Sequence, residues 1–488
     1  MAMQYRDFDI DAFDYERDAG GDRFAVRVAD SSAGQQTIGR AEQVTLSPDL
    51  RSRLRRLEKR KLGLGEMIDL GEHLANLLLP ARARRLLDLS RAMLDPGEGL
   101  RIRLKLDSYA LSDLPWEYLY IPGPDTPSNQ RGPEGFLVLD RRVSLVRYEL
   151  MGQAAESLTP VGSGPLRLIA LMANPRDPDY RALDLEAERL NIEKAMNKVP
   201  GIEVEFFPGG RVIDLEEAVT TGAHILHYAG HGDFVGEMGA EFGTQVGKGA
   251  LVLVGEDGGA ELFPVEKLAQ NLVGRNIRLA VFGACETARR DQLNAWTGVA
   301  PALARAGIPA VVAMQYTVRD TNAIAFSRRF YRALASGETI DAAVTDGRLA
   351  IFNRSDLDER DWGVPVLYLR TPGGILFPAG EPETAAQPKG RRSAPARSPD
   401  EPARPTAVDK RALRSLMISS FNTDELQALC WDAEGLLEEA GIELPVSLEM
   451  VGGGSKTAIV MNLIDYFDRR GHLDYLVQAV RSARPGRI

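Results

Sequence analysis

Two residues in this chain have the types and the setting for covalent chemistry. His231 follows the run His224-Ile225-Leu226-His227-Tyr228-Ala229-Gly230 and precedes Gly232-Asp233; Cys285 follows Leu279-Ala280-Val281-Phe282-Gly283-Ala284 and precedes Glu286-Thr287-Ala288. A thiol with an ordinary pKa of about 8.5 is only slightly ionised at neutral pH, so a cysteine nucleophile needs a histidine to poise the sulfur and to protonate the leaving group. The histidine comes first and the cysteine follows by 285 − 231 = 54 residues, the order and spacing of one group of cysteine peptidases. Glycines at 230 and 232 let main chain approach a substrate closely. Buried, inert side chains are the commoner fate of both residue types, and it is their joint setting and spacing that points to catalysis. The other cysteine, Cys430, lies in the middle of an apolar helical stripe and reads as core.

The elements that must position this pair follow from the apolar pattern. Both runs are short, rich in β-branched or aromatic residues and bounded by glycine, as strands buried on both faces require. In such a sheet ligands gather at the carboxyl edge, where His231 and Cys285 are expected to meet. Strand and helix signals alternate through residues 160–372, which predicts a parallel sheet covered by helices: strands at Leu166–Met172, Ile202–Phe207 and Ala310–Gln315, and helices between. Asp257-Gly258-Gly259 marks a hairpin between the two reactive strands. Val364–Leu369 closes the sheet, with Pro365 arguing for an edge position. Residues 1–159 read as a mixed α/β region, with alternating strands at Phe24–Val28 and Arg101–Leu106. In it Leu114-Pro115-Trp116-Glu117 precedes a strand, Val143–Arg147, that ends in arginine. Eight of the 28 prolines fall between Pro372 and Pro405, so 373–407 reads as a linker that cannot bury a core. Residues 408–488 carry three apolar helical stripes and, at Asn422 and Glu425, a capping pair.

Composition narrows the function. With 44% hydrophobic and 26% charged residues the chain is of ordinary globular type. A net charge of −10 provides no general footprint for nucleic acid, and the basic run Arg51–Lys61 is interleaved with leucines at helical spacing, as a solvated helix face is. Two cysteines are too few for a disulfide framework. The acidic start is unlike a signal peptide, and no apolar run approaches a membrane span, so cytoplasm is the expected compartment, with no membrane partner. His227 and His231, if on one strand, stand about 13 Å apart, too far to share a metal ion. No cofactor is called for. Gly453-Gly454-Ser455-Lys456-Thr457 lacks the glycine before lysine that a phosphate loop needs.

Gly230-His231-Gly232, Ala284-Cys285-Glu286-Thr287-Ala288, Ala310–Gln315 and the Leu-Pro-Trp-Glu box resemble the CHAT peptidases, bacterial relatives of caspases and separases. The resemblance implies an α/β fold: a caspase-like three-layer α/β/α sandwich with a mainly parallel sheet, a mixed α/β N-terminal region and a small all-α C-terminal bundle. It implies a cysteine endopeptidase with His231 and Cys285 as the dyad, the backbone amides of Gly232 and Cys285 as oxyanion donors, and a substrate pocket walled by the segment after Gln315, from Tyr316 to Asp320. Family members more usually have tryptophan where this chain has Tyr316. Asp233 and Asp320 either make that pocket acidic or cap loops and helices. The C-terminal segment resembles the death-like effector-associated domains that bacterial conflict proteins place beside an enzyme, which implies a partner protein carrying a similar domain. The alternatives are a catalytically silent scaffold and a nucleotide- or peptide-binding switch.

Overall fold

The computed structural model describes residues 3–18, 21–123, 126–127, 130–148, 158, 161, 164–196, 199–235, 248–284, 296–378, 413–414, 416–417, 420–440, 442, 456–468, 470 and 472–484. The chain divides into two compact units, Met1–Ala386 and Gln387–Ile488.

The first unit opens with strands β1 (Gln4–Asp18), β2 (Gly21–Ser31) and β3 (Glu42–Thr45), then helices α1 (Leu50–Glu58), α2 (Leu64–Leu78) and α3 (Ala81–Ala92). Strand β4 (Glu98–Leu106), the short α4 (Tyr109–Ser112) and β5 (Val143–Arg147) follow. The alternating section runs β6 (Leu166–Met172), α5 (Leu185–Met196), β7 (Ile202–Phe207), α6 (Val212–Thr220), β8 (Ile225–Val235), β9 (Lys248–Val254), β10 (Ala260–Pro264), α7 (Val265–Leu272), β11 (Leu279–Ala284) and α8 (Trp296–Ala306). It ends with β12 (Ala310–Met314), α9 (Asp320–Ala335), α10 (Ile340–Phe352) and β13 (Pro365–Leu369).

Strand β1 was not anticipated from the acidic start of the chain. Phe8, Ile10 and Ala12 are buried, while Asp7, Asp9 and Asp11 lie in register with Arg101, Arg103 and Lys105 of the parallel β4. Arg101 reaches Asp7 at 3.2 Å, Arg103 reaches Asp9 at 2.5 Å, and Lys105 reaches Asp9 at 3.4 Å. Two strands with one apolar and one charged face are thus zipped by opposite charges directly across the ladder.

The strands form one sheet in the order β10-β9-β8-β11-β12-β13-β5-β4-β1-β2-β3, with β6 also paired to β8, and β7 to β6. Strands β7, β6, β8, β11 and β12 are parallel to one another. Their side chains enter two cores alternately: Leu168 and Ala170 join Val281, Phe330 and Val344 on one face, and Ile169 and Leu171 join Phe282, Leu268 and Val299 on the other. Helices α5, α9 and α10 therefore cover one face and α6, α7 and α8 the other, the three-layer α/β/α arrangement that continuous apolar strands require.

Two expectations about strand ends are corrected. Strand β13 lies inside the sheet, antiparallel to β12 and bridged to β5 at Tyr368 and Arg147. Pro365 is its first residue, a position where a missing N–H costs no ladder bond. Strand β8 does not stop at Ala229. It leaves the parallel sheet after Gly230 and continues to Val235 as the antiparallel partner of β9, with His231 opposite Val252.

In the second unit, α11 (Thr423–Glu439), α12 (Lys456–Asp468) and α13 (Leu473–Ala483) bury Leu426, Leu429, Val460, Phe467, Leu476 and Val480 against one another. Asn422 and Glu425 exchange backbone-to-side-chain hydrogen bonds of 2.8 and 2.9 Å at the start of α11, a reciprocal cap. Among the described residues no helix is long and apolar enough to cross a membrane.

Candidate active site

Gly230 pairs with Ala284 across the parallel β8–β11 ladder, and His231 follows at the point where β8 passes to its antiparallel pairing with β9. Cys285 lies outside the described residues. A Cβ on Gly230 would collide with the Tyr228 side chain, whose hydroxyl lies 3.0 Å from the His231 carbonyl and 2.9 Å from that of Val252. Glycine at 230 is thus required by that close approach, and the tyrosine fastens the backbone of His231 where β8 passes from one ladder to the other.

The His231 ring is 1% exposed. Its Nε2 lies 2.8 Å from the carbonyl oxygen of Arg181, and because a carbonyl only accepts, Nε2 carries the hydrogen. Burial holds the imidazole below its ordinary pKa, against smaller upward pulls from the Arg181 carbonyl and Asp233. A neutral ring with hydrogen on Nε2 keeps a lone pair on Nδ1. That Nδ1 is buried and finds no hydrogen-bond partner among the described residues. The arrangement is that of a base: one nitrogen fixes the tautomer, and the other remains available to a proton. Gly232 is half-buried. Cys430, by contrast, is a buried thiol pushed up to about 12 by burial, as a core cysteine is.

A cavity of about 540 Å³ lies beside the strand ends. His227 and Gly283 line it from β8 and β11, Glu188 from α5, Arg319 from the turn between β12 and α9, Asp320 from the start of α9, and Arg60 from beyond α1. Glu188 and Asp320 have no ion-pair partner among the described residues, and burial together with the Asp320 charge raises the Glu188 pKa. Two of the cavity's three arginines pair with carboxylates: Arg60 contacts Glu359 and Asp361 at 2.6 Å each, and Arg319 contacts Glu359 at 2.8 Å. Arg181 and Asp184 line the same cavity, so its wall carries both signs of charge. His227, 4% exposed, lies with Nδ1 2.9 Å from the Tyr331 hydroxyl. Its Nε2 has no partner among the described residues, and burial lowers its pKa to about 4.

The structure separates the residues expected to wall the pocket. Asp320 lines the cavity. Asp233 instead accepts from the Tyr180 hydroxyl and, at 2.8 Å, from the amide of Phe234. Gln315 turns toward the Leu-Pro-Trp-Glu box, donating to the Asp113 carbonyl at 2.7 Å and accepting from Arg147 at 3.4 Å. Tyr316 lies under Arg360, whose guanidinium carbon is 4.9 Å from the ring centroid. The box itself is core: Trp116 is fully buried and donates to the Leu111 carbonyl at 2.8 Å, and Glu117 pairs with Arg147 at 2.8 Å, both buried. Burial opposes the Arg147 charge, but Glu117 and Tyr368 more than offset it and raise its pKa. The box and the arginine-ended strand are legible in the sequence, but their pairing is not. Glu188, His227 and Arg60 as cavity residues emerge only from the structure. Glu188 shares a helix face with Leu185 and Ile192, a placement that periodicity alone does not distinguish from other surface carboxylates.

The sequence model of the CHAT domain family matches residues 69–396. No curated protein matches the chain. Among solved structures, the chain is similar to the Arg-specific cysteine proteinase gingipain R (13% identity, TM-score 0.37, covering 67% of this chain and 76% of that one). It is also similar to the Saccharomyces cerevisiae separase in its securin complex (10% identity, TM-score 0.40, 75% of this chain and 30% of that one). A third is the complex of Porphyromonas gingivalis RgpB pro- and mature domains (12% identity, TM-score 0.36, 67% and 78%).

Proposed function

This chain belongs to the CHAT domain family, and from that premise we propose that it is a caspase-like cysteine endopeptidase of the cytoplasm with Cys285 as nucleophile and His231 as its acid–base partner. The observation that supports the reading best is the His231 ring, whose Nε2 is tied to the Arg181 carbonyl at 2.8 Å while Nδ1 is left with an unshared lone pair. In this mechanism Nδ1 takes the thiol proton of Cys285, and the sulfur attacks the carbonyl carbon of the scissile bond. The amides of Gly232 and Cys285 receive the oxyanion. The His231 imidazolium then gives its proton to the departing amine, leaving an acyl-sulfur bond. Water, deprotonated by His231, breaks that bond and returns the thiol.

Glu188 and Asp320 support a preference for arginine or lysine before the cut, because a desolvated carboxylate gains most from a cationic partner. Residues 408–488 serve as a death-like recruitment domain for a partner carrying a similar domain, in a bacterial conflict or defence system, and the 373–407 linker ties it to the enzyme.

An arginyl peptide bearing a thiol-reactive group tests the dyad. It should label Cys285 and spare Cys430, and Cys285→Ala should lose both labelling and peptide cleavage. Cleavage retained in Cys285→Ala refutes the assignment, and tight peptide binding without labelling of the wild-type chain would make it a binding scaffold.

A further inference from the structure

Helix α1 ends in a turn usually built on glycine. The amide of Arg60 donates to the Leu57 carbonyl at 3.0 Å and that of Lys61 to the Arg56 carbonyl at 2.8 Å, the paired bonds of a helix stop whose second-last residue is left-handed. Arg60 occupies that place with φ of +54°, a conformation that a residue with a Cβ adopts at a cost. Such a residue persists where its surroundings over-determine it.

Its side chain supplies the reason. One guanidinium nitrogen touches Glu359 and Asp361 at 2.6 Å each, and the other donates to the Thr317 carbonyl at 2.8 Å. Those two carboxylates in turn hold the cavity turn: Asp361 accepts from the Arg319 amide and from the Asn322 side chain at 2.9 Å each, and Glu359 contacts the Arg319 guanidinium at 2.8 Å. Arg360 completes the hold, donating to the Thr317 carbonyl at 3.3 Å and lying over the Tyr316 ring. Glu359 and Asp361 are buried, and a buried pair of carboxylates stays ordered only while cations compensate it. Arg60 also lines the cavity, and it precedes the 69–396 stretch that the family model matches.

We propose that Arg60 is a positioning residue for substrate selection, clamping the 316–320 turn so that Asp320 faces Glu188 across the cavity. The clamp rests on the reading of that cavity as the pocket for the residue before the cut. It makes selectivity depend on the α1 terminus, an element far from the dyad in sequence, while the chemistry at His231 is left alone.

Arg60→Gly is the informative variant, because glycine suits the left-handed turn and the helix stop is kept. It should raise KM for an arginyl peptide about tenfold with little change in kcat, since a displaced wall costs binding before chemistry. It should narrow the preference for arginine over leucine before the cut, and leave alkylation of Cys285 by iodoacetamide at the wild-type rate. Arg60→Lys should recover only part of the loss, because an ammonium cannot contact two carboxylates and a carbonyl with a fixed fork. Hydrogen exchange at the Arg319 amide, which needs no turnover, should quicken in Arg60→Gly. Wild-type KM and selectivity in Arg60→Gly would overturn the proposal, as would a joint fall of kcat, alkylation rate and melting temperature, which marks a merely structural residue. If the wild-type chain cuts no peptide, the peptidase reading fails, and the exchange experiment decides the clamp alone: unchanged protection at Arg319 overturns it.

Discussion

Acidification should destabilise the protein through one buried histidine, by an amount the structure sets. His227 is buried on β8 with its ring against Tyr331, and burial holds its pKa at about 4 where the unfolded chain has 6.5. At 1.36 kcal/mol per pH unit the difference is about 3 kcal/mol in total. The sign follows from proton uptake. Above pH 6.5 both states are neutral and His227 contributes nothing. Between 6.5 and about 4 the unfolded chain binds a proton that the native chain refuses, so stability falls as pH falls; below that range both states are charged and the loss is complete. Between pH 7.5 and pH 5.0 this one residue should therefore remove about 2 kcal/mol. His227→Asn is the matched control, since its amide can bond the Tyr331 hydroxyl as donor or acceptor while nothing there titrates. Burial also lowers the pKa of His73, His224 and His231, but both proteins share those residues and they cancel. Urea unfolding of the two full-length chains, followed by near-ultraviolet circular dichroism at both pH values, measures the difference. Equal losses in wild type and His227→Asn would refute the reasoning.

Three further outcomes are expected. Cys285→Ala should abolish cleavage and leave the melting temperature within a few degrees, because replacing a single side chain beyond a strand terminus removes little packing; His231→Ala should abolish cleavage as well, and turnover kinetics with calorimetry test both. Glu188→Gln should lower kcat/KM for arginyl and lysyl peptides more than for leucyl ones, and an unchanged ratio in a peptide-library digest would discard Glu188 as a selectivity residue. Glu117→Ala should cost about 3–5 kcal/mol, since it strands the buried Arg147 guanidinium; chemical denaturation reporting less than about 1 kcal/mol would mean that Leu114, Ser112 and Gln315 satisfy it alone.

Much of the sheet was legible because its signals are local. The apolar runs Leu166–Met172 and Leu279–Ala284 are continuous since both faces are covered, and that pattern survives in the sequence without knowledge of neighbours. The Asp257-Gly258-Gly259 turn and the Asn422–Glu425 cap are likewise decided within a few residues. Of the proposed dyad, the sequence supplied the residue types and the edge of the sheet, but the ring orientation of His231 depends on a carbonyl 50 residues away at Arg181. What remained hidden needed pairing in space. The acidic residues of β1 offered no strand signal on their own, because their partners Arg101, Arg103 and Lys105 face them only in register, and charge register exists only between strands. Pro365 marked an edge by composition, yet only the assembled sheet revealed that β5 continues it beyond β13. Glu188, Arg60 and Asp320 came to one cavity from three distant segments, and no periodicity records such a meeting. Local pattern specified the elements, while long-range electrostatics and register decided which of their polar side chains became the site.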